Sequence, residues 1–274
     1  VAAIVAAHAH GLGADVRYFS VSGKDSSAEF ARDKLQEWGV KAEVFEDESR
    51  PTTLKQRFRA SGKTLLRVSH LRQHDISHQI MSAFVTAVKT ALQNSDLVIF
   101  SDFNYGCLPQ PLVEEISEVC RQKNILMVAD SQSSSQVGDV SRFKDMLLLT
   151  PTEREARLAV RDFNSGLVVL AEKLRIKACS ENIILTLDSE GMIAHAASKD
   201  DGAWHTDRLP AFNTAPKDSS GAGDSLLACC SMAMAVGADI WKSMYLGSIA
   251  AACQVSRVGN TPLSPRDIRL ELAD

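Results

Sequence analysis

The sequence predicts a three-layer α/β/α sandwich with a mostly parallel central sheet and a small β lid. Three observations carry that reading. Short, nearly all-apolar runs recur along the chain, helical stretches separate them, and residues 50–69 break the rhythm with alternating cations. Runs that are apolar on both faces suit strands buried inside a parallel sheet. Strand–helix–strand repetition requires such a sheet to be covered on both sides.

Taken in order, "VAAIVAAHAHGLGA" is small, apolar and helix-like, with a glycine stop. A chain rarely starts inside a helix, so residues upstream of Val1 are expected to be missing. "VRYFSV" (Val16 to Val21) reads as a strand, and "SSAEFARDKLQEWGV" as a helix stopped at Gly39. In "RPTTLKQRFRASGKTLLRVSH" (Arg50 to His70), two extended pieces flank Ser61 to Lys63. Thr53, Lys55, Arg57 and Arg59 alternate there with Leu54, Gln56 and Phe58, the pattern of a hairpin outside the main core. A lone hairpin is marginal, so it should pair with other strands or with a second subunit. Asp96 to Asp102, Ile125 to Ser131, Met146 to Pro151 and Asn182 to Asp188 read as buried strands. Helices are expected at roughly Asp75 to Gln93, Pro109 to Lys123 and Ser165 to Ala178. With no internal repeat or linker, residues 1–274 are expected to form one domain.

Composition narrows the function. A formal net charge of -4 gives no basic field for nucleic acid. No window has the unbroken apolar length of a membrane helix. The six cysteines show no CxxC spacing, and Cys229 and Cys230 are adjacent in an apolar run. They read as reduced thiols packed like small hydrophobes in a cytoplasmic protein. His8 and His10 lie two apart in a helical run and point to different faces. His70, His74 and His78 are spaced for one helical face, but His70 precedes the helix, so no metal set is expected.

One motif carries chemistry. In "DSSGAGDSLL" (Asp218 to Leu227), two glycines bracket an alanine and an acid follows, at the mouth of an apolar segment. Gly221 and Gly223 let the backbone come close to a ligand and adopt positive φ. The N–H groups of Gly221 to Asp224 can form an anion cradle at a helix N-terminus. A carboxylate beside a phosphate makes sense if it takes a proton from the attacking hydroxyl. An ordinary helix start with Asp224 as cap fits the same residues. No GK[ST] follows, so this is not a Walker A loop.

"DSSGAGDSLLA" resembles the C-terminal signature of the ribokinase-like (PfkB) sugar kinases. More narrowly, the chain resembles the kinase domain of bacterial heptose-phosphate kinases, which are often fused to an adenylyltransferase and feed lipopolysaccharide core synthesis. "VAAHAHGLGA", the Arg50 to His70 segment, "SDFNYGCLPQPLVEEI", "LLLTPTEREAR" and "GSIAAACQVSRVGNTPLS" match that family's segments in order. The resemblance implies a ribokinase-like fold, ATP and Mg²⁺. It implies Asp224 as catalytic base, with Gly221, Ala222 and Gly223 as the anion hole. Glu155 would organise Mg²⁺ through water. Thr186, Asp188 and Gly191 would line the ribose and phosphates, and Ala251, Ala252 and Val255 the adenine. Asp218 and Ser220 would help hold a monovalent cation, K⁺. Departures stand out. Thr152 replaces the family's Asn and makes a capping box with Glu155, Ile4 replaces a substrate-contacting Asn, and Cys229 replaces a small residue.

A sugar that already carries a phosphate needs cations, and Lys55, Arg57 and Arg67 on the hairpin are the candidates. A solvated lid face would look the same. Asp102 and Asn104, on the loop after a central strand, can hydrogen-bond sugar hydroxyls, and Asp130 occupies a comparable strand end. The expected reaction is ATP-dependent phosphorylation of D-glycero-D-manno-heptose 7-phosphate at its anomeric hydroxyl. A ribokinase- or fructokinase-like enzyme of a neutral sugar is the alternative, and a sensor that only binds nucleotide or sugar phosphate is a third. A homodimer through the lid is expected.

Overall fold

The structure is a computed structural model that describes residues 2–60, 63–133, 137–197, 203–213 and 215–272, with the backbone alone at residues 59, 63 and 64. The turn of the expected hairpin, Ser61 and Gly62, lies outside the described residues.

Helix α1 (Ala2–Gly11) leads into strand β1 (Arg17–Ser22), helix α2 (Ser26–Glu37) and strand β2 (Lys41–Glu46). Strands β3 (Leu54–Ala60) and β4 (Lys63–His70) form the hairpin. Then come α3 (His78–Ala91), β5 (Leu97–Asp102), α4 (Gln110–Lys123), β6 (Leu126–Ser131) and β7 (Leu148–Leu149). Helices α5 (Glu153–Val160) and α6 (Leu167–Ala178) precede β8 (Asn182–Thr186), β9 (Met192–Ala197) and β10 (Trp204–Leu209). Helices α7 (Ala222–Ala235), α8 (Ile240–Val255) and α9 (Pro265–Glu271) close the chain.

A six-stranded sheet runs in the order β10-β9-β8-β7-β6-β5. Strands β5 to β8 are parallel, as expected from their apolar runs. Alternate residues feed the two outer layers. Met127, Leu149, Ile183 and Leu185 pack with Leu112, Ile116, Phe143 and Leu174. Val128, Leu148 and Ile184 pack on the other side with Leu226, Leu227 and Met244. The sandwich therefore follows from the period-2 side-chain alternation of strands apolar on both faces. Cys120, Cys229, Cys230 and Cys253 are buried as free thiols, and burial pushes Cys120, Cys229 and Cys253 up to about 11.

The sheet departs from expectation beyond Thr186. Strand β9 returns antiparallel to β8, and β10 antiparallel to β9. The connection at Leu187 to Gly191 is too short for a crossover helix, and Leu187 N–H bonds the Gly191 carbonyl at 2.9 Å, closing a hairpin. The alanine-rich "MIAHAA" carries little β propensity and gave no strand signal. The Met146 to Pro151 run yields only two ladder residues, with a further isolated bridge from Thr152 to Thr186. Pro151 has no N–H to give the ladder.

Strands β1 and β2 form a separate parallel pair, and β3 and β4 a two-stranded antiparallel sheet that joins no other strand among the described residues. The pairing of the hairpin with other strands is thus corrected. Arg50, read with the lid, instead anchors the chain ahead of it. It is 9 % exposed and ion-paired with Asp47 at 2.7 Å. It also donates to the carbonyls of Tyr105 at 2.9 Å and His74 at 2.7 Å. One guanidinium so ties together the roots of three loops.

Breaking a buried pair by removing one partner strands the other charge. Arg50→Ala should lose about 3–5 kcal/mol of stability by urea unfolding, and Arg50→Lys, which lacks the planar fork, should recover only part of it.

Candidate active site

Helix α7 opens on the glycine signature. Gly221 is its N-cap, at φ 84 and ψ 3, and a Cβ there would stand 2.3 Å from Asn260 Oδ1. Gly223 lies inside the first helical turn without positive φ, and a Cβ there would meet nothing within 4 Å. Positive φ is therefore needed at Gly221 alone, whereas Gly223 keeps one face open for close approach of a ligand. The N–H groups of Ala222, Gly223 and Asp224 have no acceptor within the helix.

Asp224 is the third helical residue and makes no capping hydrogen bond, so the cap reading fails. It is 4 % exposed, and Gln132 Nε2 reaches its Oδ1 at 3.5 Å. Burial pushes its carboxyl up to about 6, while Lys55 and Arg57 draw it back down. A buried carboxyl poised near neutrality suits a general base.

Other acids end the neighbouring strands. Asp130, on β6, is buried, with Thr150 Oγ1 at 3.4 Å. Burial, then the charges of Glu155 and Asp224, hold its carboxyl well above the ordinary carboxylate range. Glu155 fulfils the capping box. Its Oε2 accepts from Thr152 N–H and Oγ1, both at 2.8 Å, and its Oε1 accepts from Ser133 N–H at 2.6 Å. Asp102 is turned inward, where it pairs with Arg142 at 2.9 Å and accepts from Ser131 Oγ at 3.1 Å and Asn104 N–H at 2.9 Å. The Asn104 amide nitrogen bonds Ser131 Oγ and the Gln132 carbonyl. These bonds hold the loop after β5 through the Asp102 carboxylate and the Asn104 amide nitrogen. Gln132 and Arg142 were missed. Gln132 follows a strand-end acid by two positions, a signal that was available, whereas Arg142 acts across 40 residues and left none.

The hairpin brings its cations together. Arg57 on β3 and Arg67 on β4 are direct cross-strand partners, and Lys55 pairs with Ser69 on the same face. Lys55 Nζ lies 4.9 Å from the Phe103 ring centre and 5.3 Å from that of Tyr105. The nucleotide-side candidates fall into two groups. Thr186 ends β8 beside Pro151, Asp188 takes a left-handed φ of 50, and Gly191, at φ 91, has no room for a Cβ beside the Leu209 carbonyl. Ala251, Ala252 and Val255 lie in the last turns of α8, where the Val255 carbonyl accepts from Lys217 and Asp218 N–H at 2.8 and 3.3 Å. The second group thus adjoins the glycine loop directly.

A family profile described as pfkB family carbohydrate kinase matches residues 1–267. The chain belongs to the pfkB family. Among curated relatives, it is 28 % identical over 268 residues to the bifunctional protein HldE of Desulfatibacillum aliphaticivorans, covering 96 % of this chain and 53 % of that protein. It is likewise 28 % identical over 269 residues to HldE of Helicobacter hepaticus, covering 94 % and 52 %. The chain therefore spans about half the length of these relatives. Among solved structures, phosphofructokinase-2 of Escherichia coli in complex with potassium superposes with a TM-score of 0.79 at 14 % identity, covering 98 % of this chain and 85 % of that one. Ribokinase of Giardia lamblia gives 0.78 at 18 %, covering 99 % and 87 %. These neighbours establish the ribokinase-like fold of this pfkB member.

The raised carboxyl of Asp224 has a thermodynamic signature. Its folded value, about 6, lies above the ordinary 3.8, so the native state holds more protons between those values and loses stability as pH rises through them. Asp224→Asn should therefore unfold at a higher temperature than wild type at pH 7, and the difference should vanish near pH 4. An equal or lower melting point at pH 7 would contradict the buried charge.

Proposed function

We propose that the chain is an ATP-dependent kinase of a phosphorylated sugar, with Asp224 as its base. The observation that carries the substrate class is Arg57 directly opposite Arg67, with Lys55 on the same hairpin face. Like charges paired across a hairpin are destabilising. A phosphate between them reverses the sign, because guanidinium forks bind its oxygens in pairs. Lys55 and Arg57 also act on the Asp224 carboxyl, so the cationic face addresses the same space as the base.

The sugar hydroxyl loses its proton to Asp224 Oδ, its oxygen bonds the γ-phosphorus of ATP, and the bond from that phosphorus to the β–γ bridging oxygen breaks, so that ADP leaves. The N–H groups of Ala222 and Gly223, with that of Gly221, receive the charge that gathers on the phosphoryl oxygens. Mg²⁺ bound with ATP would supply charge neutralisation of the phosphates. Among the described residues no group of His, Cys, Asp and Glu is arranged to hold a metal by itself. Such an ion would be bound chiefly by phosphates and water with one or two carboxylates. Glu155 Oε2 is engaged in its cap and Oε1 by the Ser133 N–H, whereas Asp130, with one long hydrogen bond, is the more open carboxyl. Asp188 and Gly191 serve the phosphates, and Ala251 and Val255 the adenine.

The resemblance and the HldE relatives favour D-glycero-D-manno-heptose 7-phosphate, phosphorylated at the anomeric hydroxyl, within lipopolysaccharide precursor synthesis. A neutral sugar would leave Arg57 and Arg67 facing each other. The opposite hairpin face exposes Phe58 and its cross-strand partner Leu66 at 50 % and 55 %, beside Leu54. A second copy of the chain covers that face in this reading.

ATP-to-ADP conversion should be measured with heptose 7-phosphate, fructose 6-phosphate, fructose and ribose. Turnover is expected with the phosphorylated heptose, and turnover with ribose or fructose alone would overturn the substrate class. Asp224→Asn should lower kcat roughly 10²–10⁴-fold with ATP binding retained. Arg67→Ala should raise the sugar KM roughly tenfold or more, leaving that for ATP unchanged. Phe58→Asp should shift the sedimentation coefficient from dimer to monomer.

A further inference from the structure

We infer that the side-chain amide of Gln254 takes the place of a monovalent cation beneath the glycine signature and makes this protein independent of K⁺. Three oxygens converge on Gln254 Nε2: the carbonyls of Ser220 at 3.1 Å and Gly259 at 2.9 Å, and Asn260 Oδ1 at 3.2 Å. Main-chain carbonyls only accept, so the point they surround must hold a donor or a cation. Gln254 is 0 % exposed, on the last turn of α8, and its nitrogen fills that point. An ion at the same centre would meet an N–H dipole of the wrong sign.

The residues expected to hold K⁺ do not fit it. The Ser220 carbonyl faces the amide. Asp218 accepts Ser220 N–H at 3.1 Å through Oδ1 and Gly259 N–H at 3.3 Å through Oδ2. Amide and carboxylate together stitch the signature loop to residues 259–260 with the protein's own donors. Gly221 sits on the knot, since a Cβ there would stand 3.4 Å from Gln254 Nε2. Fixing the Ser220 carbonyl fixes the Ser220–Gly221 peptide plane, and with it the direction of the Gly221 N–H. Gln254 is therefore a positioning residue for the anion hole. Its Oε1 is buried without a partner among the described atoms. Rotating the amide would aim that oxygen at three others, an arrangement only a cation could hold.

The test compares KCl with choline chloride at equal ionic strength, on wild type and on Gln254→Glu, by thermal unfolding and by calorimetric ATP affinity. The unfolding readout does not depend on the sugar or on the kinase reading. Wild type should give the same midpoint in both salts and an ATP Kd within about twofold. Gln254→Glu places a carboxylate oxygen among the three and should gain several degrees in K⁺ through linked binding. A wild-type midpoint or ATP affinity that rises specifically with K⁺ would overturn the inference. So would a folded Gln254→Glu that ignores K⁺. If that variant does not fold, the wild-type comparison decides alone.

Discussion

Burying the carboxylate of Asp224 is the constraint on which the rest of this site depends. An acid taken out of water resists ionisation, and the charge of Asp224 in turn helps hold the buried Asp130 carboxyl above the ordinary carboxylate range. The fold answers locally. Asp224 stands in the first turn of α7, at the positive end of the helix dipole, and Lys55 and Arg57 of the hairpin draw its carboxyl down. In the proposed reaction, what lowers the cost of ionising Asp224 also recruits the phosphates.

The sheet explains why these groups meet. Strands β5 to β8 run parallel, so their carboxyl ends share one edge, and Asp102, Asp130 and the segment leading to Glu155 lie along it. Asp102 has become structural there, locked by Arg142. The antiparallel strands β9 and β10 widen the sheet beyond β8, and the connection from β8 to β9 carries Asp188 and Gly191.

Much of this was legible in the sequence. Apolar runs gave the parallel strands, and the glycine signature gave the helix start, the buried acid and the family. The capping box at Thr152 and Glu155 was readable and is present. Residues whose meaning depends on a distant partner were not legible. Arg142 acquires its function only when folding places it against Asp102, and Gln254 only when the last turn of α8 meets Ser220. Strand β9 escaped because alanine does not advertise a strand. The pairing of Asp102 with Arg142 was equally hidden, because a strand-end acid looks the same whatever it faces.

The opposed arginines of the hairpin carry one more implication. If a phosphate is what reconciles Arg57 with Arg67, discrimination rests on what an incorrect sugar fails to quench. A sugar lacking the phosphate has hydroxyls enough to enter, yet it leaves two guanidinium groups in conflict. A hairpin of that kind would place discrimination on Arg57 and Arg67 and leave the centre around Asp224 unchanged.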